Sequence, residues 1–267
     1  GGFCCMGGTK AGASELIKKF GLEEARSWYR AQVESVELVR RIGTDESLDF
    51  WPQGESEYLV AHTPRSFTEL RDTCDVLTGQ LGIDANLISV DVFRELFYYS
   101  TEQYGALREG PPFGLHPLRY CLGIAGAAVR NGAILYDRSE VVDWTTGDDG
   151  LHHLITNGGA LRAKRVIYAT NGFIREDLRP EYAGRTLPII SAIIATRPLS
   201  DEERAAHGWQ TEQPMANTRR ILNYFRMLPD GRFLFGGRGR GRGSASREQE
   251  TYDGLKRMLG TLWPRWA

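Results

Sequence analysis

Residues 116–172 constrain the fold of this chain more than any other segment. After Pro117, apolar residues recur at three- and four-residue spacing, which predicts an amphipathic helix that ends at Arg130-Asn131-Gly132. The short apolar run 133–136 follows, and it predicts a strand covered on both faces. A helix followed at once by a buried strand is typical of an α/β domain.

The same segment continues with strands and turns. Residues 141–144, 151–155 and 161–163 predict a three-stranded meander, whose last two strands are joined by Thr156-Asn157-Gly158-Gly159. A further strand, 165–168, ends in the small-residue turn Ala169-Thr170-Asn171-Gly172. Open α/β sheets bind ligands at such turns. The pattern predicts half of a nucleotide-binding α/β domain, although any α/β domain contains similar features.

The rest of the chain predicts a second layer of structure. A long helix, 23–42, has one apolar side and is closed by Gly43. The other predicted elements are a strand at 57–61, helices at 64–81 and 91–104, a strand at 187–196, strands at 219–227 and 232–237, and a helix from about Ser246. Leu228-Pro229-Asp230-Gly231 is a strong turn signal between the last two strands. The predicted fold class is therefore α/β with an α+β layer.

Four separated motifs suggest a family. They are residues 1–8 (GGFCCMGG), His116-Pro117, residues 165–172 (RVIYATNG) and residues 224–238 (YFRMLPDGRFLFGGR). In this order they resemble the FAD-dependent amino acid and amine oxidases of the D-amino acid oxidase superfamily. Within that superfamily the chain most resembles the bacterial branch that includes gamma-glutamylputrescine oxidoreductase.

The resemblance implies an FAD-dependent enzyme. Its substrate would be a small-molecule amine or amino acid, and the reaction would oxidise the C–N bond to an imine, with O2 or another acceptor reoxidising the flavin. A competing interpretation is a non-catalytic RNA-binding module that uses the Arg-Gly run 236–243. The net charge of −1 disfavours that module.

The resemblance also implies how the chain is divided. Residues 1–45 and 115–175 would form a discontinuous, incomplete Rossmann-like FAD-binding domain, interleaved with an antiparallel-sheet substrate domain at 46–114 and 176–267. Family members carry a G-x-G-x-x-G loop ahead of the position that matches Gly1. The run after Gly237 does not replace it, because Arg242 stands at the third glycine position. We therefore expect that this chain is an internal part of a longer protein and that it is inactive by itself.

The resemblance supplies most of the candidate site residues. Its cofactor-binding positions are Gly1, Gly2, Phe3, Val141, Ala169, Thr170, Asn171, Gly172, Gly236 and Gly237. Tyr224 and Arg226 lie two residues apart in a predicted strand, so they share one face of the sheet. A phenol beside a guanidinium can bind a carboxylate, and we predict that this pair binds the substrate; an incidental arginine on a solvated face is the alternative. No catalytic residue is assigned, and Asn217 stands where the family often has an acid.

Composition excludes several other classes. The near-zero net charge gives no electrostatic reason for a nucleic-acid or membrane partner, and no apolar run approaches the ~20 residues that span a bilayer. The four cysteines form no C-x-x-C pair, which favours a reduced, cytoplasmic protein. No metal site is expected, because His152 and His153 are neighbours that point to opposite faces of a strand.

Overall fold

The computed structural model describes residues 2–6, 11–173, 175–187, 191–238 and 245–266. The chain divides into two compact units. Unit 1 comprises Gly1–Ala127 and Ser191–Ala267, and unit 2 comprises Ala128–Ile190. No helix among the described residues combines the length and the apolar character that crossing a bilayer requires.

Twelve strands and seven α-helices form within the described residues. The strands are β1 (Phe3–Cys4), β2 (Glu57–Val60), β3 (Ala85–Ile88), β4 (Ala106–Glu109), β5 (Phe113–Gly114), β6 (Val141–Thr146), β7 (His152–Thr156), β8 (Gly159–Ala163), β9 (Ser191–Pro198), β10 (Met215–Asn217), β11 (Asn223–Met227) and β12 (Arg232–Arg238). The helices are α1 (Ala13–Phe20), α2 (Leu22–Asp45), α3 (Pro64–Gly79), α4 (Val90–Leu96), α5 (Pro117–Arg130), α6 (Asp201–Ala205) and α7 (Ala245–Leu262).

A seven-stranded sheet is the centre of unit 1. Its strand order is β3-β4-β2-β10-β11-β12-β9, and β2 and β10 are its parallel pair, whereas the other neighbours are antiparallel. A second sheet pairs β1 with β5. The mixed α/β architecture and the β11–β12 hairpin agree with the sequence prediction.

The two faces of the large sheet bury different cores. On one face, Phe225, Phe233 and Phe235 pack against Trp263, which follows α7. On the other face, α1, α2 and α3 cover β3, β4 and β2 in a core that includes Leu107. Each large apolar side chain buried in this way contributes about 1.5–3 kcal/mol, so both cores hold the sheet firmly.

The ends of three predicted helices differ from the structure, and α3 ends at Gly79, two residues before its predicted end. Helix α2 continues through Gly43 to Asp45. Gly43 is a packing residue inside the helix, because a side chain there would collide with the ring of Phe50. Helix α4 ends at Leu96 instead of continuing to residue 104. Phe97 and Tyr98 leave the helix and are buried in the aromatic core, so tertiary burial overrides the local periodicity.

Unit 2 contains the predicted meander β6-β7-β8, which is antiparallel throughout. The strands predicted at 133–136 and 165–168 are wrong, since neither segment is a strand in the structure. Ile134 is 75% exposed and Ile167 is 90% exposed. Short apolar segments become parallel strands only when neighbouring strands pair with them, and neither segment has such a partner among the described residues.

Candidate functional site

Tyr224 and Arg226 lie on the same face of β11, as their spacing predicts. The ring of Tyr224 meets the ring of Phe3 edge-on, with the centroids 5.8 Å apart. The guanidinium carbon of Arg226 also lies 5.8 Å from the centroid of Phe3. Phe225, between them, points into the opposite core. The structure thus brings Phe3, Tyr224 and Arg226 together, although Phe3 is more than 200 residues away in the chain.

The side chain of Arg226 is buried and bound to protein acceptors. It is 3% exposed, so it does not belong to a solvated sheet face. Its Nη1 donates to Gln53 Oε1 at 3.0 Å and its Nη2 donates to the Leu115 carbonyl at 2.6 Å. The buried Nε has no partner among the described residues. Burial lowers the pKa of the guanidinium to about 10, so the side chain remains a cation at neutral pH.

Two glycines make the space for this guanidinium. A Cβ at Gly114 would lie closer to Arg226 Nη1 than the 3.0 Å that real Cβ atoms keep, and a Cβ at Gly2 would lie 3.0 Å from Nη2. Gly2 also has a φ of 72°, which disfavours other residues. Gly2, a predicted cofactor position, therefore lies beside the guanidinium of Arg226. Gly114 and Gln53 were not predicted, because neither stands in a pattern that indicates a distant arginine.

Gly236 and Gly237 lie on β12, where they pair with Tyr224 and Asn223 of β11. The ring of Tyr224 lies where a side chain at Gly236 would be, and a Cβ at Gly237 would lie 2.9 Å from Asn223 Nδ2. The Tyr224 hydroxyl is 2.6 Å from the Ser191 hydroxyl, which in turn donates to the Gly237 carbonyl at 3.2 Å. These contacts fix the position of Tyr224. Contact of the two glycines with a flavin stays a prediction.

The side chain of Asn217, at the end of β10, forms hydrogen bonds with Arg219 and with Asn223 at the start of β11. Its Oδ1 accepts from Asn223 N at 2.9 Å and from Arg219 N at 3.4 Å, while its Nδ2 donates to Asn223 Oδ1 at 3.2 Å. Asn217 and Asn223 are both buried. A carboxylate at position 217 would accept the first two bonds but could not donate the third. The carboxamide pair therefore accounts for an asparagine where the resembled family often has an acid.

A separate group of predicted residues meets in unit 2. Val141, Ala169 and Thr170 line one cavity of about 460 Å³, together with Trp144 and Tyr168. Asn171 and Gly172 follow in the chain, and Asn171 adopts a left-handed φ of 57° while its Oδ1 accepts from Gly172 N at 2.8 Å. The predicted turn is thus present, whereas the strand before it is not.

Some predicted positions lie outside the described residues. These are Gly1 and, in the Arg-Gly run, residues 239–243. Within the described part of the chain, no cluster of three or more histidine, cysteine, aspartate or glutamate residues is arranged to hold a metal ion.

Comparisons with known proteins identify the family. The family described as FAD dependent oxidoreductase matches residues 2–266. A probable oxidoreductase OrdL of Haemophilus influenzae is 29% identical over 238 residues, which cover 86% of this chain and 54% of that protein. The gamma-glutamylputrescine oxidoreductase of Escherichia coli is 30% identical over 225 residues, which cover 83% of this chain and 51% of that protein. The chain spans about half the length of these curated relatives.

Solved structures show the same fold. The glycine oxidase of Geobacillus kaustophilus has a TM-score of 0.67 at 17% identity, covering 98% of this chain and 66% of that one. The glycine oxidase of Bacillus cereus has a TM-score of 0.70 at 15% identity, covering 96% and 66%. The match over residues 2–266, supported by these relatives, shows that the chain belongs to the family of FAD-dependent oxidoreductases.

Proposed function

We propose that the protein containing this chain oxidises the C–N bond of an amine or amino acid to an imine, with O2 or another acceptor reoxidising the flavin. The family match carries this proposal. The names of similar proteins, gamma-glutamylputrescine oxidoreductase and glycine oxidase, favour a small amine or amino acid as the substrate. The alternative RNA-binding module has no comparable support.

The residues of unit 2 fit one end of FAD. A cavity of about 460 Å³ lies within the ~300–1,000 Å³ that small-molecule sites occupy. Its lining is mostly apolar and aromatic, with Val141, Trp144 and Tyr168, and the Thr170 hydroxyl adds a hydrogen-bonding group. We propose that the adenine and ribose bind here, against Val141, Ala169, Thr170, Asn171 and Gly172.

In unit 1, the proposed flavin positions are Gly1, Gly2, Phe3, Gly236 and Gly237. Bound FAD would supply the hydride acceptor for the carbon next to the amine nitrogen. Gly2 and Phe3 lie beside the guanidinium of Arg226. This buried, hydrogen-bonded side chain therefore supports both residues in position. The proposed division into an FAD domain (1–45 and 115–175) and a substrate domain (46–114 and 176–267) rests on the family resemblance, and the flavin would also contact Gly236 and Gly237 of the substrate domain.

Tyr224 and Arg226 are proposed to act on the substrate. The Tyr224 hydroxyl, positioned by Ser191, would contact the substrate directly. The Arg226 cation, which lies next to the ring of Phe3, would attract a substrate carboxylate by its charge. It would also disfavour a second positive charge nearby, so a substrate ammonium group would lose its proton more readily and present the neutral amine that oxidation requires.

The cellular location is proposed from the thiols. Cys4, Cys5, Cys74 and Cys121 are all free, as expected in a reducing compartment such as the cytoplasm. Fractionation of cells that produce the full-length protein would test this location, and recovery in an oxidising compartment would contradict it.

The proposed activity is tested with the full-length protein. We expect a yellow protein whose flavin is released by acid precipitation and whose absorbance bleaches when a substrate amine is added without O2. Val141→Trp should fill the cavity of unit 2 and lower the flavin content. Val142→Trp, on the neighbouring exposed residue, is the matched control and should retain flavin. A colourless protein that takes up no flavin would contradict the proposal.

A further inference from the structure

Unit 1 has a cavity of its own, which lies on the face of the large sheet opposite to Tyr224. It measures about 550 Å³ and is lined by the β10–β11 connection, by α7 and by His62. Asn223 lines it, and Asn223 precedes Tyr224 on β11, so the two side chains point to opposite faces. We call it the arginine cavity, because Arg219, Arg220 and Arg257 line it. It is separate from the proposed substrate site.

The charges of the arginine cavity are unbalanced. Its lining holds three arginines and one histidine but a single carboxylate, that of Glu250. Arg219 forms an ion pair with Glu102. Arg220 and Arg257 are exposed, and no ion pair or side-chain hydrogen bond engages either guanidinium within the described residues. Two cationic groups therefore face the cavity without a protein partner.

The polar groups of the cavity are held in place. The ion pair with Glu102 fixes Arg219, whose buried Nε has no acceptor among the described residues. His62 Nδ1 lies 2.7 Å from the Thr218 hydroxyl and 3.2 Å from the Ser66 hydroxyl. Burial and the charge of Arg219 lower the pKa of His62, so the ring is neutral at pH 7. When the hydroxyls donate to Nδ1, Nε2 carries the proton and can donate to an acceptor oxygen.

Part of the remaining lining is apolar, and Asn223 and Thr251 add polar side chains to it. Ile221, Leu255 and Met258 contribute to the walls, and Leu255 belongs to the buried core. Cationic groups beside apolar walls suit a ligand that has an oxyanion at one end and a short hydrocarbon portion at the other. A bare inorganic ion would use only the charged part of the cavity.

We propose that the arginine cavity binds a small organic oxyanion, in which a carboxylate or a phosphate group meets Arg220, Arg257 and Arg219 and an apolar chain packs on Ile221 and Met258. Asn223 Nδ2 donates to the Gly236 carbonyl at 3.4 Å, so Asn223 connects β11 with β12. An occupant of the cavity would therefore contact these two strands on the face opposite to Tyr224. Binding needs neither flavin nor turnover, so this proposal stands or falls independently of the proposed function.

Calorimetric titration of the full-length protein tests the proposal. The probes are hexanoate, hexyl phosphate, inorganic phosphate, hexanol and hexylammonium. We expect hexanoate or hexyl phosphate to bind at least about tenfold more tightly than hexanol and hexylammonium, because charge-assisted hydrogen bonds are lost with the latter two. Comparison of the two anions identifies the preferred head group. Inorganic phosphate that binds as tightly as hexyl phosphate would contradict the apolar subsite.

Variants locate the binding. The double variant Arg220→Gln, Arg257→Gln should weaken the anion by about tenfold or more, whereas Arg94→Gln, an exposed arginine outside the cavity, should change its Kd less than about twofold. Thermal melts confirm that these surface variants fold. Tyr224→Phe, on the opposite face, should leave the affinity unchanged. Unaltered binding by the double variant, or a large effect of Tyr224→Phe, would overturn the proposed location.

Discussion

Arg226 occupies the space that a side chain at Gly114 would need. Nη1 of the arginine approaches the Cβ position of Gly114 more closely than the 3.0 Å that real Cβ atoms keep, while Gln53 and Leu115 hold the guanidinium by hydrogen bonds. The arginine therefore cannot move away without losing buried hydrogen bonds. Three segments far apart in the sequence, those of Gln53, Gly114-Leu115 and Arg226, meet at this contact.

Gly114→Ala is expected to destabilise the protein by about 1–3 kcal/mol, because it overpacks a buried, hydrogen-bonded group. Urea unfolding of the full-length protein measures the change. Gly79→Ala is the matched control, since a Cβ there meets nothing within 4 Å and α3 should tolerate or favour it. The penalty should shrink in an Arg226→Met background. An equal penalty in both backgrounds would show that Arg226 is not its cause.

Arg226→Ala is expected to raise KM for carboxylate-bearing amines roughly 10- to 150-fold, because it removes an attraction of about 1.5–3 kcal/mol between charges about 6–10 Å apart. Simple alkylamines should be little affected. Parallel melts are needed, because the substitution also leaves Gln53 Oε1 and the Leu115 carbonyl without a donor. Equal losses on both substrate classes would mean that Arg226 only supports the structure.

Gly236→Ala is expected to displace the ring of Tyr224, because a Cβ at position 236 collides with it. The hydroxyl would then lose its position beside Ser191, and kcat/KM should fall. In a Tyr224→Ala background the same substitution should have little further effect on kcat/KM. Additive losses in the double variant would show that Gly236 acts through something other than Tyr224, such as direct contact with the flavin.

Glu57 and Glu109 are paired residues on the neighbouring strands β2 and β4, so their side chains lie on the same face of the sheet. Burial raises the pKa of Glu109 to about 7, and burial together with Glu109 raises that of Glu57 to about 8, both from a usual value of 4.5. The folded state thus holds these protons more tightly than the unfolded chain does. The stability from these groups is fully present below about pH 4.5 and is lost as the pH rises through about 7 and 8.

Glu109→Gln should therefore flatten the fall in unfolding free energy between pH 5 and pH 9, by a few kcal/mol at about 1.4 kcal/mol per pKa unit. Urea titrations at each pH measure it. Glu37→Gln, which removes an exposed charge from α2, should leave the slope as it is in the native sequence. A Glu109→Gln protein with an unchanged slope would contradict the assigned pKa values.

Local sequence patterns correctly predicted the features that depend on interactions between residues close together in the chain. The helix α5, the β11–β12 hairpin and the shared face of Tyr224 and Arg226 all follow from periodicity and turn residues, and the structure confirms them. The burial of Arg226 could not be predicted in this way. Its acceptors, Gln53 and Leu115, lie more than 100 residues away and have no distinguishing pattern around them.

The wrong predictions have a related cause. Residues 133–136 and 165–168 have the apolar character of buried strands, but strand formation depends on a partner, not on the segment alone. Tyr98 shows the same dependence in a helix, since its burial against Trp209 determines where α4 ends. The domain division and the flavin positions were inferred from family resemblance and remain predictions.

The parallel pair at the middle of the large sheet has a consequence for synthesis. About 155 residues separate β2 from β10 in the chain. On the ribosome, β3, β4 and β2 emerge first, and at the usual ~5–20 residues per second β2 waits roughly 8–30 s with a free edge before β10 follows. A free strand edge is a template for wrong pairing. Translation that stalls before Met215 would thus prolong the exposure of this edge and favour wrong pairing of the nascent sheet.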